Sequence, residues 1–317
     1  MSVNAQNRKN FKEYLLLFFK GMAMGAADSV PGVSGGTIAV IARIYDELIY
    51  SIASVNVTAL QLLAAEGFKK AWAYINGTFL LVLLCGISVS LSISASLVLL
   101  LLDNYFKLLM AFFAGLVISS SWFLKAEFGN WNWKILTALL IGFGLTLMVS
   151  SLSPQSPVIS NWYLFLCGVI AICAMILPGL SGAFLLLMLG VYDYVLNAWV
   201  NIELMTIVVF ITGCVSGLLM FSRFLTWTLS RFHDLSYAFL TGMLLASVYV
   251  LWPWQQVISF YTDDNGRNQA LESINVMPGS YELLTGQDPQ LLPVIICLLS
   301  GCAVILIFDK LFRNPVD

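Results

Sequence analysis

Charge is what this chain of 317 residues has least of. Only 10% of its residues are Asp, Glu, Lys or Arg, against roughly 25% in a soluble domain. Histidine is almost missing: His233 stands alone, between Arg231 and Asp234 at the end of an apolar segment. A single histidine there reads as interfacial and leaves little for metal or acid–base chemistry. A net charge of −2 argues against a nucleic-acid partner. The six cysteines, Cys85, Cys167, Cys173, Cys214, Cys297 and Cys302, all lie in apolar segments without metal-type spacing, so they read as small hydrophobes. No cofactor and no metal is expected. What the chain does have is apolar surface: 60% hydrophobic residues and a mean hydropathy of +0.89. The expected fold class is an all-α polytopic membrane protein.

Two apolar runs carry a break. The first, between Tyr14 and Ile52, is interrupted by Asp28-Ser29-Val30-Pro31-Gly32-Val33-Ser34-Gly35-Gly36-Thr37. The second, between Trp162 and Trp199, is interrupted by Pro178-Gly179-Leu180-Ser181-Gly182-Ala183. Proline stops a helix, glycine permits the turn, and serine caps the helix that restarts. Each stretch therefore reads as helix, break, helix, with breaks at Pro31, Gly32 and at Pro178, Gly179. Broken backbone in lipid is tolerated only where protein buries it or it lines a wet cavity.

In order, residues 1–13 form a basic lead. Arg8, Lys9 and Lys12 before an apolar run faintly mimic a signal peptide, but Lys20 cuts that run short and the lead is expected to be retained. Residues 14–152 form a first unit: a hairpin at 14–53 with limbs too short for two spans, an amphipathic interfacial helix at 54–74, and spans near 76–102, 105–124 and 133–152. A linker covers 153–159. The second unit, 160–310, has a hairpin at 160–200 and spans near 204–229, 235–254 and 290–309. A polar loop, 255–289, separates the last two, and 311–317 is a tail. Trp131, Trp133, Trp252 and Trp254 read as interfacial belts.

The two units are a repeat. Displaced by 147 positions, Gly21, Ala27, Pro31, Gly32, Ser34, Gly35, Tyr45 and Asp46 fall on Gly168, Ala174, Pro178, Gly179, Ser181, Gly182, Tyr192 and Asp193. Beyond the hairpins a displacement of 127 puts Gly86, Ala111, Phe112 and Gly115 on Gly213, Ala238, Phe239 and Gly242. A hairpin that crosses nothing plus three spans is an odd count, so the second unit enters from the opposite side, the inverted plan of many secondary transporters. With both termini in the cytoplasm, most lysines and arginines lie inside, while Lys107 and Arg267 fall outside with the acidic 255–289 loop.

The returning limbs start at the breaks, so their first N–H groups, at Gly35, Gly36 and Thr37 and at Gly182 and Ala183, carry the positive end of a helix dipole. That suits an anion, phosphate above all. The incoming limbs bring carbonyl ends to the same region, which suits a cation, and the plain alternative is a cap that only packs the hairpin. Arg43 reads either as a bidentate phosphate ligand or as a side chain that reaches the cytoplasmic face and pairs with Glu47. Asp28 reads as an ion-coupling group or as a cap of the turn; Glu47 is a second coupling candidate.

At Gly25-Ala26-Ala27-Asp28-Ser29-Val30-Pro31-Gly32-Val33-Ser34-Gly35-Gly36-Thr37, and again at Leu177-Pro178-Gly179-Leu180-Ser181-Gly182, the chain resembles a bacterial family once labelled only as a domain of unknown function. It is now associated with polyprenyl-phosphate (undecaprenyl-phosphate) translocation, the PopT type. The resemblance covers about 14 to 310. It implies a transporter, not an enzyme, in the bacterial inner membrane, returning the C55 lipid phosphate to the cytoplasmic leaflet for peptidoglycan and other envelope polymers. The motif residues Ser34, Gly35, Gly36, Thr37, Ser181 and Gly182 are then expected substrate contacts; from the residues themselves, Arg43 is added as a phosphate ligand, and H+ or Na+ is the coupling ion considered for Asp28 or Glu47. The oligomeric state is left open. The alternatives are a membrane lipid-pyrophosphate phosphatase, a small-anion exchanger and an assembly factor without transport.

Overall fold

A computed structural model of the chain describes residues 10–28, 34–125, 128, 131–152, 159–262 and 268–312. It opens with α1 (Phe11–Asp28), α2 (Gly35–Ile41) and α3 (Tyr45–Ala53). Pro31 and Gly32, the expected break, lie outside the described residues. α2 starts at Ser34, whose Oγ accepts the N–H of Gly36 at 3.1 Å, the usual service of an N-cap serine. The interfacial stretch expected as one helix at 54–74 is two, α4 (Val57–Glu66) and α5 (Phe68–Tyr74). Gly67 separates them at φ 85°, a left-handed conformation that no helix can continue through.

α6 (Gly77–Leu124) has 48 residues. A straight rod of that length would measure about 72 Å at 1.5 Å per residue, more than twice a hydrocarbon slab of about 30 Å. It breaks at Tyr105 (φ −134°, ψ 29°) into two limbs. After α7 (Trp133–Ser150), the second half repeats the opening with α8 (Asn161–Ile176), α9 (Gly182–Met188) and α10 (Tyr192–Val200), followed by α11 (Leu204–Arg231) and α12 (His233–Val250). The stretch read as a polar loop at 255–289 has structure of its own. β1 (Gln255–Thr262) pairs antiparallel with β2 (Asn268–Asn275), and α13 (Pro278–Thr285) leads to α14 (Leu291–Phe312). Trp252 and Trp254 hold this cap rather than forming a belt. Their indole N–H groups donate to the carbonyls of Val276 and Pro289, each at 2.8 Å, and Trp254 is only 7% exposed. Trp131 and Trp133 are exposed, as a belt requires.

Paired glycines set the helix packing. A Cβ on Gly21 would strike the carbonyl of Leu83, and one on Gly86 that of Phe18. In the second half Gly168 meets Phe210 and Gly213 meets Phe165 in the same way. The remaining helices pair across the halves: Gly115 meets Leu298 and Gly301 meets Phe112, while Gly142 meets Phe239 and Gly242 meets Leu139. In every pair the carbonyl struck belongs to the residue three before the partner glycine. Backbones this close exclude any side chain, the packing that replaces hydrophobic drive inside lipid.

These contacts also give direction. Gly21 lies against Leu83 and Gly25 against Ile87, so α1 and the first limb of α6 run parallel. Gly213 lies against Phe165 and Gly217 against Val169, so α8 and α11 run parallel too. The chain between the members of each pair has therefore returned to the end from which it started. The exit of the second broken element runs straight into the start of α11 at Leu204. The exit of the first is held near the other end of α11, where Arg223 Nη2 donates to the carbonyl of Val55 at 3.1 Å.

The core sits around α2 and α3, where Ala39, Ile44 and Ile49 are at most 1% exposed. Outward, the molecule is oily: Ile141, Met148, Met220 and Phe224 are each more than half exposed. Among the described residues three helices are long and apolar enough to cross a membrane, Asn104–Trp122, Trp133–Ser150 and Leu204–Arg231, with shorter apolar helices at Asn161–Ile176 and Leu291–Ile307. An oily outside on a helical frame makes this a multi-pass membrane protein.

Replacing Gly242 by Leu should force α12 off α7 and cost about 1–3 kcal/mol, as overpacking does. A fall in the melting temperature of the purified protein in detergent checks this. An unchanged Tm would mean that the α7–α12 contact is looser than its geometry.

Candidate functional site

The two broken elements touch at their tips. Ser34 Oγ donates to the carbonyl of Met175 at 2.9 Å and lies 3.4 Å from that of Leu177. In the reverse direction, the Gly179 N–H donates to Thr37 Oγ1 at 3.0 Å. Gly36 faces the carbonyl of Ile176 so closely that a Cβ there would collide with it. Gly179, at φ 86°, sits against the backbone of Met243 on α12. Ser34 and Thr37 are 1% and 2% exposed. Polar groups buried this deeply need partners, and here each tip supplies them to the other. Pro178 is buried beside them.

The amides at the start of α2 are not the open donors that the sequence suggested. The Gly35 N–H donates to Asp28 Oδ1 at 2.6 Å, the Gly36 N–H to Ser34 Oγ, and the Thr37 N–H to the carbonyl of Ser34 at 2.9 Å. A helix start buried without partners would be costly, so the chain supplies an anion of its own: the carboxylate of Asp28 occupies the positive end of α2. Of the two readings of Asp28, the cap is the arrangement present. At the second tip Ser181, half-buried, accepts the Phe184 N–H at 3.4 Å, and Gly182 is buried against Ala171. Met175 stands where the first half has Asp28, so the counterpart of that carboxylate is missing at α9.

Arg43 lies away from the tips. The seven residues of α2 separate it from them by about 10 Å, and it is exposed. Its backbone is the notable part. It has φ 55°, with its N–H on the carbonyl of Val40 at 3.0 Å and the Ile44 N–H on that of Ala39 at 2.9 Å. That pair of bonds is the helix-ending motif usually built on glycine. The second half builds the same turn with glycine: Gly190 at φ 67° donates to Leu187 at 3.0 Å, and Val191 to Leu186 at 3.0 Å. An arginine in this conformation costs about 1–2 kcal/mol that a glycine does not.

Around this turn lie partners that no local spacing could reveal. Lys20 Nζ donates to the carbonyl of Ala42 at 2.7 Å, and Tyr163 OH does the same for Leu189 in the second half at 2.9 Å. Glu47, 9% exposed, accepts from Asn76 Nδ2 at 2.9 Å. Asp46 accepts from Tyr237 OH at 2.8 Å, next to His233. Lys20 and Glu47 gave a signal in the sequence, as charges inside apolar runs, and Asp46 recurred in the repeat; their partners gave none. Among the described residues no group of three or more His, Cys, Asp and Glu side chains is placed to hold a metal ion.

Two broken helices meeting inside a polytopic helical membrane protein define the architecture of a membrane carrier. Residues 24–269 match the undecaprenyl phosphate translocase-like family, and the chain belongs to that family. It is 39% identical over 297 residues to a polyprenyl-phosphate transporter of Vibrio cholerae, covering 94% of this chain and 96% of the relative. A polyprenyl-phosphate transporter of Staphylococcus aureus is 28% identical over 256 residues, covering 74% and 84%. No solved structure matches.

Two outcomes follow from this geometry. Ser34→Ala strands a buried amide and a carbonyl, and Thr37→Val strands another amide; each should cost about 1–3 kcal/mol. The double variant should cost less than their sum, because both act in one contact, and a thermal-melt mutant cycle measures it. Arg43→Gly relieves a left-handed side chain and should melt within about 1 kcal/mol of the parent; a large loss would make Arg43 a structural residue.

Proposed function

We propose that this chain carries polyprenyl phosphate, undecaprenyl phosphate above all, across the bacterial inner membrane and returns its headgroup to the cytoplasmic leaflet. There the lipid re-enters synthesis of peptidoglycan and other envelope polymers. The observation that carries this reading is the tip-to-tip contact of two broken helices in a family named for that lipid. The parallel runs of α1 with α6 and of α8 with α11 support reading both as re-entrant hairpins. The exits near opposite ends of α11 support two inverted units, each a hairpin and three spans. The excess of lysine and arginine at one end supports cytoplasmic termini.

The physical task is to take a phosphate through oil. Its isoprenoid tail stays in lipid, but the unaided headgroup would cost many kcal/mol. In our reading the tips form the septum. They hold Ser34, Gly35, Gly36 and Thr37 from one side and Ser181 and Gly182 from the other, and rocking of one unit against the other opens it to each leaflet in turn. Asp28 is the competitor: its carboxylate holds the amide that a phosphate oxygen takes over. Protonation releases Asp28 from that amide, which makes H+ the coupling ion we favour over Na+, with Glu47 as the second candidate. Arg43, at the return of the first hairpin, receives the headgroup on the cytoplasmic side.

Proteoliposomes with leaflet-resolved undecaprenyl phosphate test this, with and without a pH gradient. The parent should move the lipid. Arg43→Gly should slow it at least tenfold at unchanged stability, the value of a lost charged hydrogen bond of about 1.5–3 kcal/mol. Asp28→Asn should abolish the response to the gradient. Phosphate release from the lipid pyrophosphate would replace the reading with a phosphatase, and lipid-independent uptake of a soluble anion with an exchanger.

A further inference from the structure

A second polar site lies apart from the hairpin tips, where the cap packs on α6 and α14. The break of α6 at Tyr105 and the residues joining α13 to α14 enclose a cavity of about 380 Å³. Its polar lining includes Asn104, Lys107, Tyr281, Gln287, Asp288 and Gln290. Lys107 Nζ donates to the backbone carbonyl of Asp288 at 2.7 Å and stands 4.8 Å from the ring centroid of Tyr281. Neither of these contacts is an ion pair, and the Asp288 carboxylate in the same lining is the ammonium's charged neighbour. The Asp288 carboxylate is turned to its own loop, where Oδ1 accepts the Gln290 N–H at 2.9 Å. Tyr281, 6% exposed, donates its hydroxyl to Gln287 Oε1 at 3.0 Å, which leaves the Gln287 amide hydrogens for another acceptor.

The surroundings say what kind of molecule brings that acceptor. Lys107 lies at the start of the apolar span Asn104–Trp122. Close in sequence to the lining residues are Leu283 on α13, 88% exposed, and Leu292 and Ile295 on α14, 70% and 50% exposed. A cation and amide donors beside bare apolar helix fit an anionic headgroup whose tail stays in lipid; a free ion has no use for the leucines. In the orientation proposed above, Lys107 is also a positive charge on the side where membrane proteins avoid them.

We propose that this cavity receives the phosphate headgroup of a lipid at the outer face, with Lys107 as its cation and Gln287 as a hydrogen-bond donor. Resting on the transport reading, it is the loading site: the lipid docks here before its headgroup moves toward the hairpin tips.

The test needs no transport. In the full chain, Tyr105→Cys places a thiol on the exposed rim of the cavity, and its modification by a membrane-impermeant maleimide is timed in proteoliposomes. Geranylgeranyl phosphate should slow the reaction, while geranylgeraniol and inorganic phosphate at equal concentration should not. Adding Lys107→Gln should raise the half-protecting concentration about tenfold, the loss expected for a hydrogen bond to a charged group, and Lys107→Arg should restore most of it. No protection, equal protection by geranylgeraniol or by inorganic phosphate, or protection indifferent to Lys107→Gln overturns the proposal. Transport of undecaprenyl phosphate without protection removes the loading site and leaves the carrier; protection without transport keeps the site and removes the carrier.

Discussion

Ser34 and Thr37 bind the second broken helix through two hydrogen bonds, one in each direction, and that contact lies inside the packed core on which the rest of the structure is built. Both hydroxyls are buried, both bonds are to backbone, and both join residues about 140 positions apart in the chain. In a low-dielectric interior such bonds are strong, and losing one partner leaves the other stranded. Joined, the tips satisfy each other; parting them would leave the Met175 carbonyl and the Gly179 amide without these partners.

Close packing supports that contact. The reciprocal glycine contacts hold α1 to α6 and α8 to α11 at backbone distance, so the incoming helix of each broken element has a close-packed wall behind it. The cross-pairs, α6 with α14 and α7 with α12, tie the two halves together. A carrier built from such blocks moves by shifting whole units rather than by bending helices, because close-packed surfaces do not deform continuously.

The two halves are alike in backbone and unlike in charge. Each ends its short returning helix with the same pair of turn bonds, and each has the exposed carbonyl there covered from the incoming helix, by Lys20 in one half and Tyr163 in the other. Yet Asp28 faces Met175 and Arg43 faces Gly190 across the repeat. Asp46 keeps an acidic counterpart in Asp193, so the asymmetry at the tips and turns lies in Asp28, Arg43 and Glu47, which match Met175, Gly190 and Tyr194.

Much of this was legible in the residues. Pro-Gly pairs inside apolar runs announce broken helices because proline blocks the turn before it and glycine allows the chain to turn, and the scarcity of charge announces the membrane. Recurrence of Gly21, Gly86 and Gly115 in the second half announces the repeat. Those signals are local, or compare the chain with itself. Tertiary structure alone decided what the exposed polar groups meet. The amides of Gly35 and Gly36 read as open donors, because nothing in their spacing says that Asp28 and Ser34 turn back to hold them. Trp252 and Trp254 read as belt residues, because their partners, Val276 and Pro289, arrive only when the cap folds. Arg43 reads as a charge, but its cost is in its φ angle, which is set by the turn it closes. Hydrogen-bond partners and backbone strain depend on which segments come together in space, and a linear order of residues does not carry that.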